Sequence, residues 1–163
     1  MKTAHLLLTA CLVLPFAAAC NKSEAPQQVA EVKAPLAAPT TQDENEWNAY
    51  LTDVVQRNLD GATSTFVYTL PPENSPDFQG FYDRQLEKAS ADAARGGVEG
   101  TLLAYGSPSS AKSADLAIAS FEKTAPGAMK GVKVLFIGDA ADSERVKAAV
   151  EPSGATYQFV EVK

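Results

Sequence analysis

Histidine and cysteine are almost absent from this sequence. Its 163 residues include one histidine, His5, and two cysteines, Cys11 and Cys20. If residues 1–19 are removed during export, the remaining chain keeps no histidine and a single thiol. Such a chain cannot form a Ser-His-Asp or Cys-His catalytic arrangement, the usual zinc sites or an internal disulfide bond. Most hydrolase and metalloenzyme functions are thereby excluded.

Positive charge is also scarce. The chain has 14 lysine and arginine residues against 20 aspartate and glutamate residues, and its formal net charge is −6. A nucleic-acid partner is excluded, because neutralising phosphates needs clustered lysine and arginine. The acidic charge instead favours a basic protein partner through electrostatic steering.

The first residues have the three parts of an export signal. A basic start at Lys2 is followed by an apolar run from Leu6 to Leu14, and small residues precede position 20. The run is well short of the roughly 20 residues that a membrane-spanning helix needs, and Pro15 interrupts it. The pattern therefore predicts a cleaved signal peptide over residues 1–19 rather than a transmembrane anchor.

Cys20 follows three alanines in the stretch "LPFAAACNKS". This stretch resembles the lipobox of bacterial prolipoproteins, in which small residues precede a cysteine that receives a diacylglyceryl group and then an N-acyl chain. It differs from the family pattern at Ala17, where leucine is more usual. The resemblance implies that acylated Cys20 attaches the protein to a lipid bilayer. Asn21 stands where an inner-membrane retention signal has aspartate, which implies the outer membrane and a domain in the periplasm.

The segment after Cys20 lacks aromatic residues. Residues 21–43 contain three prolines and many alanines and glutamines. This composition cannot bury enough apolar surface to offset the entropic cost of ordering. We therefore expect residues 20–43 to be a lipid-anchored flexible tether, with an r.m.s. span of about 25 Å.

Residues 44–163 predict a single α/β domain. Apolar residues at helical spacing predict an initial helix and three later helices, which alternate with four strands. The predicted strands are 63–70, 100–105, 132–138 and 156–162. Helices between successive strands favour right-handed crossovers and a parallel sheet. We predict a small three-layer domain with a four-stranded, mainly parallel sheet, helices on both faces, strand order 2-1-3-4 and an edge position for the alternating last strand.

Polar residues follow three of the predicted strands, where the carboxyl ends of a doubly wound sheet usually bind a ligand. These candidate ligand residues are Glu73, Asp77, Ser107, Asp139 and Asp142. Clustered carboxylates could bind a divalent cation or position two carboxyls for glycoside cleavage. The competing interpretation is that Asp77 and Asp142 cap helices or lie in their first turns, where the helix dipole favours negative charge, and that Glu73 is solvated.

Two further features have both a functional and a structural interpretation. Ser109 and Lys112 form an S-x-x-K motif, which resembles penicillin-recognising serine enzymes, but Ser107 or Ser110 could simply cap the helix that begins there. Trp47 could belong to a partner-binding surface, or to the core, as its helical spacing indicates.

These observations predict an outer-membrane-anchored lipoprotein whose periplasmic domain binds a protein or another envelope component. Two roles fit equally: an accessory subunit of an envelope assembly, and an inhibitor or immunity-type protein. The alternative is a small carboxylate-based enzyme or a cation-dependent binder that uses the carboxyl ends of the strands. No cofactor is predicted.

Overall fold

The computed structural model describes residues 34–163; the predicted signal peptide, Cys20 and the first part of the tether lie outside the described residues. Helices and strands alternate along this range, as the sequence predicts. The helices are α1 (Glu44–Arg57), α2 (Phe78–Ala94), α3 (Ser110–Phe121) and α4 (Ala140–Val150), followed by a short 3₁₀ helix (Glu151–Ser153). The strands are β1 (Ser64–Tyr68), β2 (Thr101–Gly106), β3 (Lys133–Gly138) and β4 (Thr156–Glu161). The predicted α/β class is confirmed.

The four strands form one parallel sheet in the order β1-β2-β3-β4. The predicted order 2-1-3-4 is wrong. Right-handed crossovers between successive neighbours place α2, α3 and α4 on the same face, and α1 covers the opposite face. The predicted order would require the winding to reverse, with the second and third crossover helices on the face that α1 occupies. A sheet wound in one direction has no reversal point, where a ligand crevice would form.

Strands β2 and β3 are covered on both faces. Leu102, Ala104, Leu135 and Ile137 pack against α1. The alternate residues Leu103, Tyr105, Val134 and Phe136 belong to the core beneath the three crossover helices. Burying a large apolar side chain stabilises a fold by about 1.5–3 kcal/mol. This double burial explains why both strands are continuous apolar runs in the sequence.

The two outer strands are β1 and β4. The edge position predicted for β4 is confirmed. Strand β1 lies at the opposite edge, although the predicted order places it inside the sheet. Ser64, Thr65, Phe66 and Val67 are exposed, and Tyr68 alone in this strand is buried. One edge of the sheet is therefore open along most of a strand.

The segment before α1 packs against that helix. The Leu36 backbone N–H donates to Asp53 Oδ2 at 3.0 Å, and Ala38 packs against the apolar side of α1. Asp43 caps the helix by accepting from the N–H groups of Asn45 and Glu46. Residues 34–43, assigned to the tether from their composition, therefore contact the domain and belong to the compact unit 34–163.

Candidate functional site

The carboxyl ends of β1 and β2 are joined by a hydrogen bond between two loops. Ser109 Oγ donates to Glu73 Oε1 at 2.6 Å. The same hydroxyl caps α3 by accepting from the backbone N–H of Lys112 at 3.4 Å. The cap is thus Ser109, and neither Ser107 nor Ser110 has this role. Within the S-x-x-K motif, the contact between the two residues is a helix cap.

Ser107 is buried in the same loop, with 1% of its surface exposed. Its Oγ lies 2.7 Å from Ser113 Oγ and donates to the Ser109 carbonyl at 2.9 Å. These contacts fix the entrance to α3. The Ser107 hydroxyl is therefore engaged inside the protein.

Ser110 joins the carboxyl ends of β2 and β3. Its Oγ donates to Asp142 Oδ2 at 2.6 Å and accepts from the backbone N–H of Asp139 at 2.7 Å. Gly138 leaves room for this hydroxyl, because a Cβ at that position would lie 2.6 Å from Ser110 Oγ. Arg145 Nε donates to the second carboxylate oxygen of Asp142 at 2.9 Å. Both carboxylate oxygens of Asp142 thus accept a hydrogen bond.

The side chains of Asp77 and Asp139 take no part in this cluster of bonds. Asp77 is the N-cap residue of α2, makes no side-chain capping bond, and pairs with Arg84 Nη2 at 3.1 Å. Asp139 is the N-cap residue of α4 and likewise makes no side-chain capping bond. Within residues 34–163, no three acidic, histidine or cysteine side chains come together as a metal site. The carboxylates do not form the single cluster that a cation site needs.

Trp47 lies in the core. Its side chain is 6% exposed, and its ring meets the Tyr50 ring edge-on at a centroid distance of 5.8 Å. Its Nε1–H donates to the Thr41 carbonyl at 2.9 Å, which satisfies the polar atom of the ring. Trp47 therefore fixes the segment before α1 to the domain.

The open edge of β1 is the surface feature that sequence reasoning missed. Phe66 and Val67 are 37% and 40% exposed. Natural proteins protect edge strands with lysine, proline, bulges or a covering element. Strand β1 has no lysine or proline in its sequence STFVY, whereas the chain end at the β4 edge carries the ion pair of Glu161 and Lys163 at 2.8 Å.

A groove of about 320 Å³ lies between α1 and the β1 edge. Leu51 and Val55 of α1 and Val67 of β1 form its apolar lining. The polar residues around it, Asn48, Thr52 and Gln56, are uncharged. This groove can accept an apolar side chain beside β1, and none of its lining residues is charged.

A second groove, of about 250 Å³, lies on the other face of β1. Phe66, Leu103 and Met129 contribute its apolar part, and Asp92 of α2 and Arg95, the residue that follows α2, border it. Arg95 pairs with Asp92, which also accepts a hydrogen bond from the Tyr68 hydroxyl at 2.7 Å. An ion pair therefore borders one groove, no charged side chain lines the other, and β1 separates them.

No protein-family model, curated protein or solved structure matches the chain. No helix within residues 34–163 is both long and apolar enough to cross a bilayer.

Proposed function

We propose that the protein is an outer-membrane lipoprotein whose domain binds a partner protein by adding a strand of that partner to β1. Acylated Cys20 is the proposed anchor, since two acyl chains on the N-terminal cysteine are sufficient for stable membrane attachment. The observation that carries the proposed binding function is the uncovered β1 edge, with an apolar groove on each face.

Strand addition uses two kinds of contact. The main chain of an extended segment forms hydrogen bonds with an open sheet edge, and its alternate side chains enter pockets on the two faces. At β1, Phe66 and Val67 occupy opposite faces, and each borders a groove. A bound strand would cover both side chains and pair the unpaired backbone groups of β1.

The competing enzyme or cation-dependent function has weaker support. Glu73 and Asp142 are hydrogen-bonded to serines that join neighbouring loops, and Asp77 pairs with Arg84. These contacts give the carboxylates a role in holding the strand ends. Binding of a partner at β1 would leave all of these contacts intact.

The experiment is quantitative affinity capture from chemically cross-linked envelopes, with bound proteins identified by mass spectrometry. Three full-length chains are compared: the native chain, Val67→Lys and the matched control Leu36→Lys. Val67 and Leu36 are 40% and 39% exposed, and Leu36 lies outside the β1 grooves. We expect one specific partner to be retained by the native chain and Leu36→Lys and lost by Val67→Lys. Equal capture by all three chains would contradict binding at β1.

A further inference from the structure

One side of α2 overlooks the β1 edge. Arg84, Lys88 and Arg95 are four and seven residues apart, a spacing that places side chains on the same side of a helix. Phe81, three residues before Arg84, borders a cleft with Thr69, just beyond β1. Arg95, at the other end of α2, borders the groove that contains Phe66. The side of α2 from Phe81 to Arg95 therefore runs beside the open strand.

This side of α2 carries three cations and two carboxylates, and therefore one excess positive charge, in a chain with a net charge of −6. Arg84 pairs with Asp77, and its Cζ lies 4.6 Å from the centre of the Phe81 ring. Arg95 pairs with Asp92. Lys88 is exposed, and no ion pair involving it occurs within residues 34–163. An unpaired cation therefore stands between two paired arginines.

The opposite groove has a different chemistry. Its polar residues are the amides Asn48 and Gln56 and the hydroxyls of Thr52 and Thr69. It offers no charge to a ligand, and its lining includes Leu51, Val55 and Val67. A strand beside β1 would thus meet a positive helix flank on one face and a neutral, apolar groove on the other.

We infer that the partner strand carries acidic side chains on the face that meets α2 and apolar side chains on the face that meets α1. This inference rests on the proposed function and specifies its ligand: an extended segment in which acidic and apolar residues alternate, in place of the basic partner that the net charge of the whole chain favours. Residues that alternate along a strand project to opposite faces, so the alternation matches both surfaces of β1 at once. Lys88 is the principal charge partner, because it has no carboxylate of its own within the described chain.

A second copy of this chain fits the edge less well. Antiparallel pairing of β1 with the same strand in another copy would extend the sheet and place both α2 helices on the same face. Their flanks would then face each other, and each would carry the unpaired cation Lys88 beside two arginines that are already paired with aspartates. Like charges brought together in this way oppose association. The charge of α2 therefore favours a partner of different sequence.

The test uses two fluorescently labelled synthetic peptides and the full-length protein purified in mild detergent. One peptide alternates glutamate and valine between terminal threonines, and the other has lysine in place of every glutamate. A third peptide, with proline at its central valine, cannot complete the strand hydrogen bonds. Fluorescence anisotropy at low ionic strength measures the dissociation constants. The protein variants are Lys88→Glu, Val67→Lys and Lys130→Glu, the last being an exposed lysine between α3 and β3.

We expect the acidic peptide to bind about fivefold or more tightly than the lysine peptide, and the proline peptide to bind much more weakly. Lys88→Glu should abolish or reverse the charge preference, Lys130→Glu should preserve it, and Val67→Lys should weaken the binding of both alternating peptides. Equal affinities, a preference for lysine, or no effect of Lys88→Glu would overturn the inference.

Two further outcomes separate this inference from the proposed function. If neither alternating peptide binds, while capture of an envelope protein still depends on Val67, the ligand chemistry inferred here is wrong and binding at β1 stands. Concentration-dependent dimers in analytical ultracentrifugation that Val67→Lys abolishes would identify a second copy as the occupant and would also overturn the inference. Loss of both peptide binding and Val67-dependent capture would remove the proposed function itself.

Discussion

Phe66 and Val67 are neighbours in the sequence that lie on opposite faces of β1, and both are more than a third exposed. Phe66 pairs in register with Leu103, which faces the crossover helices, and Val67 pairs with Ala104, which faces α1. The helices that bury β2 and β3 therefore leave both faces of β1 partly open. This is the surface at which an added strand would bury apolar side chains on two sides.

Ser110→Ala is expected to destabilise the domain and leave partner binding intact. The substitution removes the hydroxyl that joins Asp142 to the Asp139 backbone N–H. Loss of a hydrogen bond to a charged group costs about 1.5–3 kcal/mol. Urea unfolding measures the cost, and affinity capture measures binding. Normal stability with loss of capture would instead indicate that the strand ends are the functional site.

Trp47→Ala is expected to lower the free energy of unfolding by about 3–5 kcal/mol, as for other large-to-small substitutions in a core. The substitution removes a buried ring and its hydrogen bond to the Thr41 carbonyl. Trp47→Phe keeps most of the buried ring and should cost less. Thermal unfolding of both variants gives the comparison. A stable Trp47→Ala protein that no longer captures its partner would make Trp47 a binding residue after all.

The domain is expected to lose stability in alkali. Burial raises the pKa of Tyr68 and of Tyr105 above the usual tyrosine value of 10.0. Both rings are neutral in the folded and unfolded states at lower pH. Above about pH 10 the unfolded chain releases these protons first, so the free energy of unfolding falls as pH rises further.

Chemical unfolding from neutral pH to about pH 11 measures this dependence for the native chain and Tyr105→Phe. The variant cannot ionise at position 105, and its stability should fall less steeply above pH 10. It also loses the contact between the Tyr105 hydroxyl and Ser120 Oγ at 2.9 Å, which lowers its stability at neutral pH. Identical slopes for the two proteins would show that Tyr105 does not contribute to the alkaline loss.

Cys20→Ser is expected to abolish metabolic labelling with palmitate and to release the protein from the membrane fraction. The reason is that the serine hydroxyl cannot replace the thiol that receives the diacylglyceryl group. Cys11→Ser is the matched control, because Cys11 lies within the predicted signal peptide and should leave the label unchanged. Persistent label on Cys20→Ser would defeat the proposed anchor.

Local patterns in the sequence predict the elements of this fold well. The stretch Lys133–Gly138 is an apolar run covered on both faces, and α1 follows from apolar residues three and four positions apart. Such periodicities depend only on which side of an element is buried. They therefore identify each helix and strand without any knowledge of its neighbours.

The strand order depends on which strands, far apart in the sequence, pair with one another and on which face of the sheet each helix covers. Either order satisfies the preference for right-handed crossovers, and the difference is which helices share a face with α1. The edge position of β1 is not evident from its sequence, because large apolar residues such as Phe66 and Val67 are typical of a buried strand. The polar pair Ser64 and Thr65 is the one local sign of exposure. The roles of Ser109 and Ser110 were equally hidden, because their partners, Glu73 and Asp142, lie more than 30 residues away.

Site-specific photo-cross-linking in living cells tests binding at β1 most directly. A benzophenone amino acid replaces Val67 in one full-length chain and Leu36 in another, two positions of nearly equal exposure. If β1 receives a partner strand, irradiation gives a discrete adduct at position 67, none at position 36, and a weaker adduct at position 67 when Lys88→Glu is also present. Equal labelling at both positions, or no adduct at position 67, would contradict binding at the β1 edge.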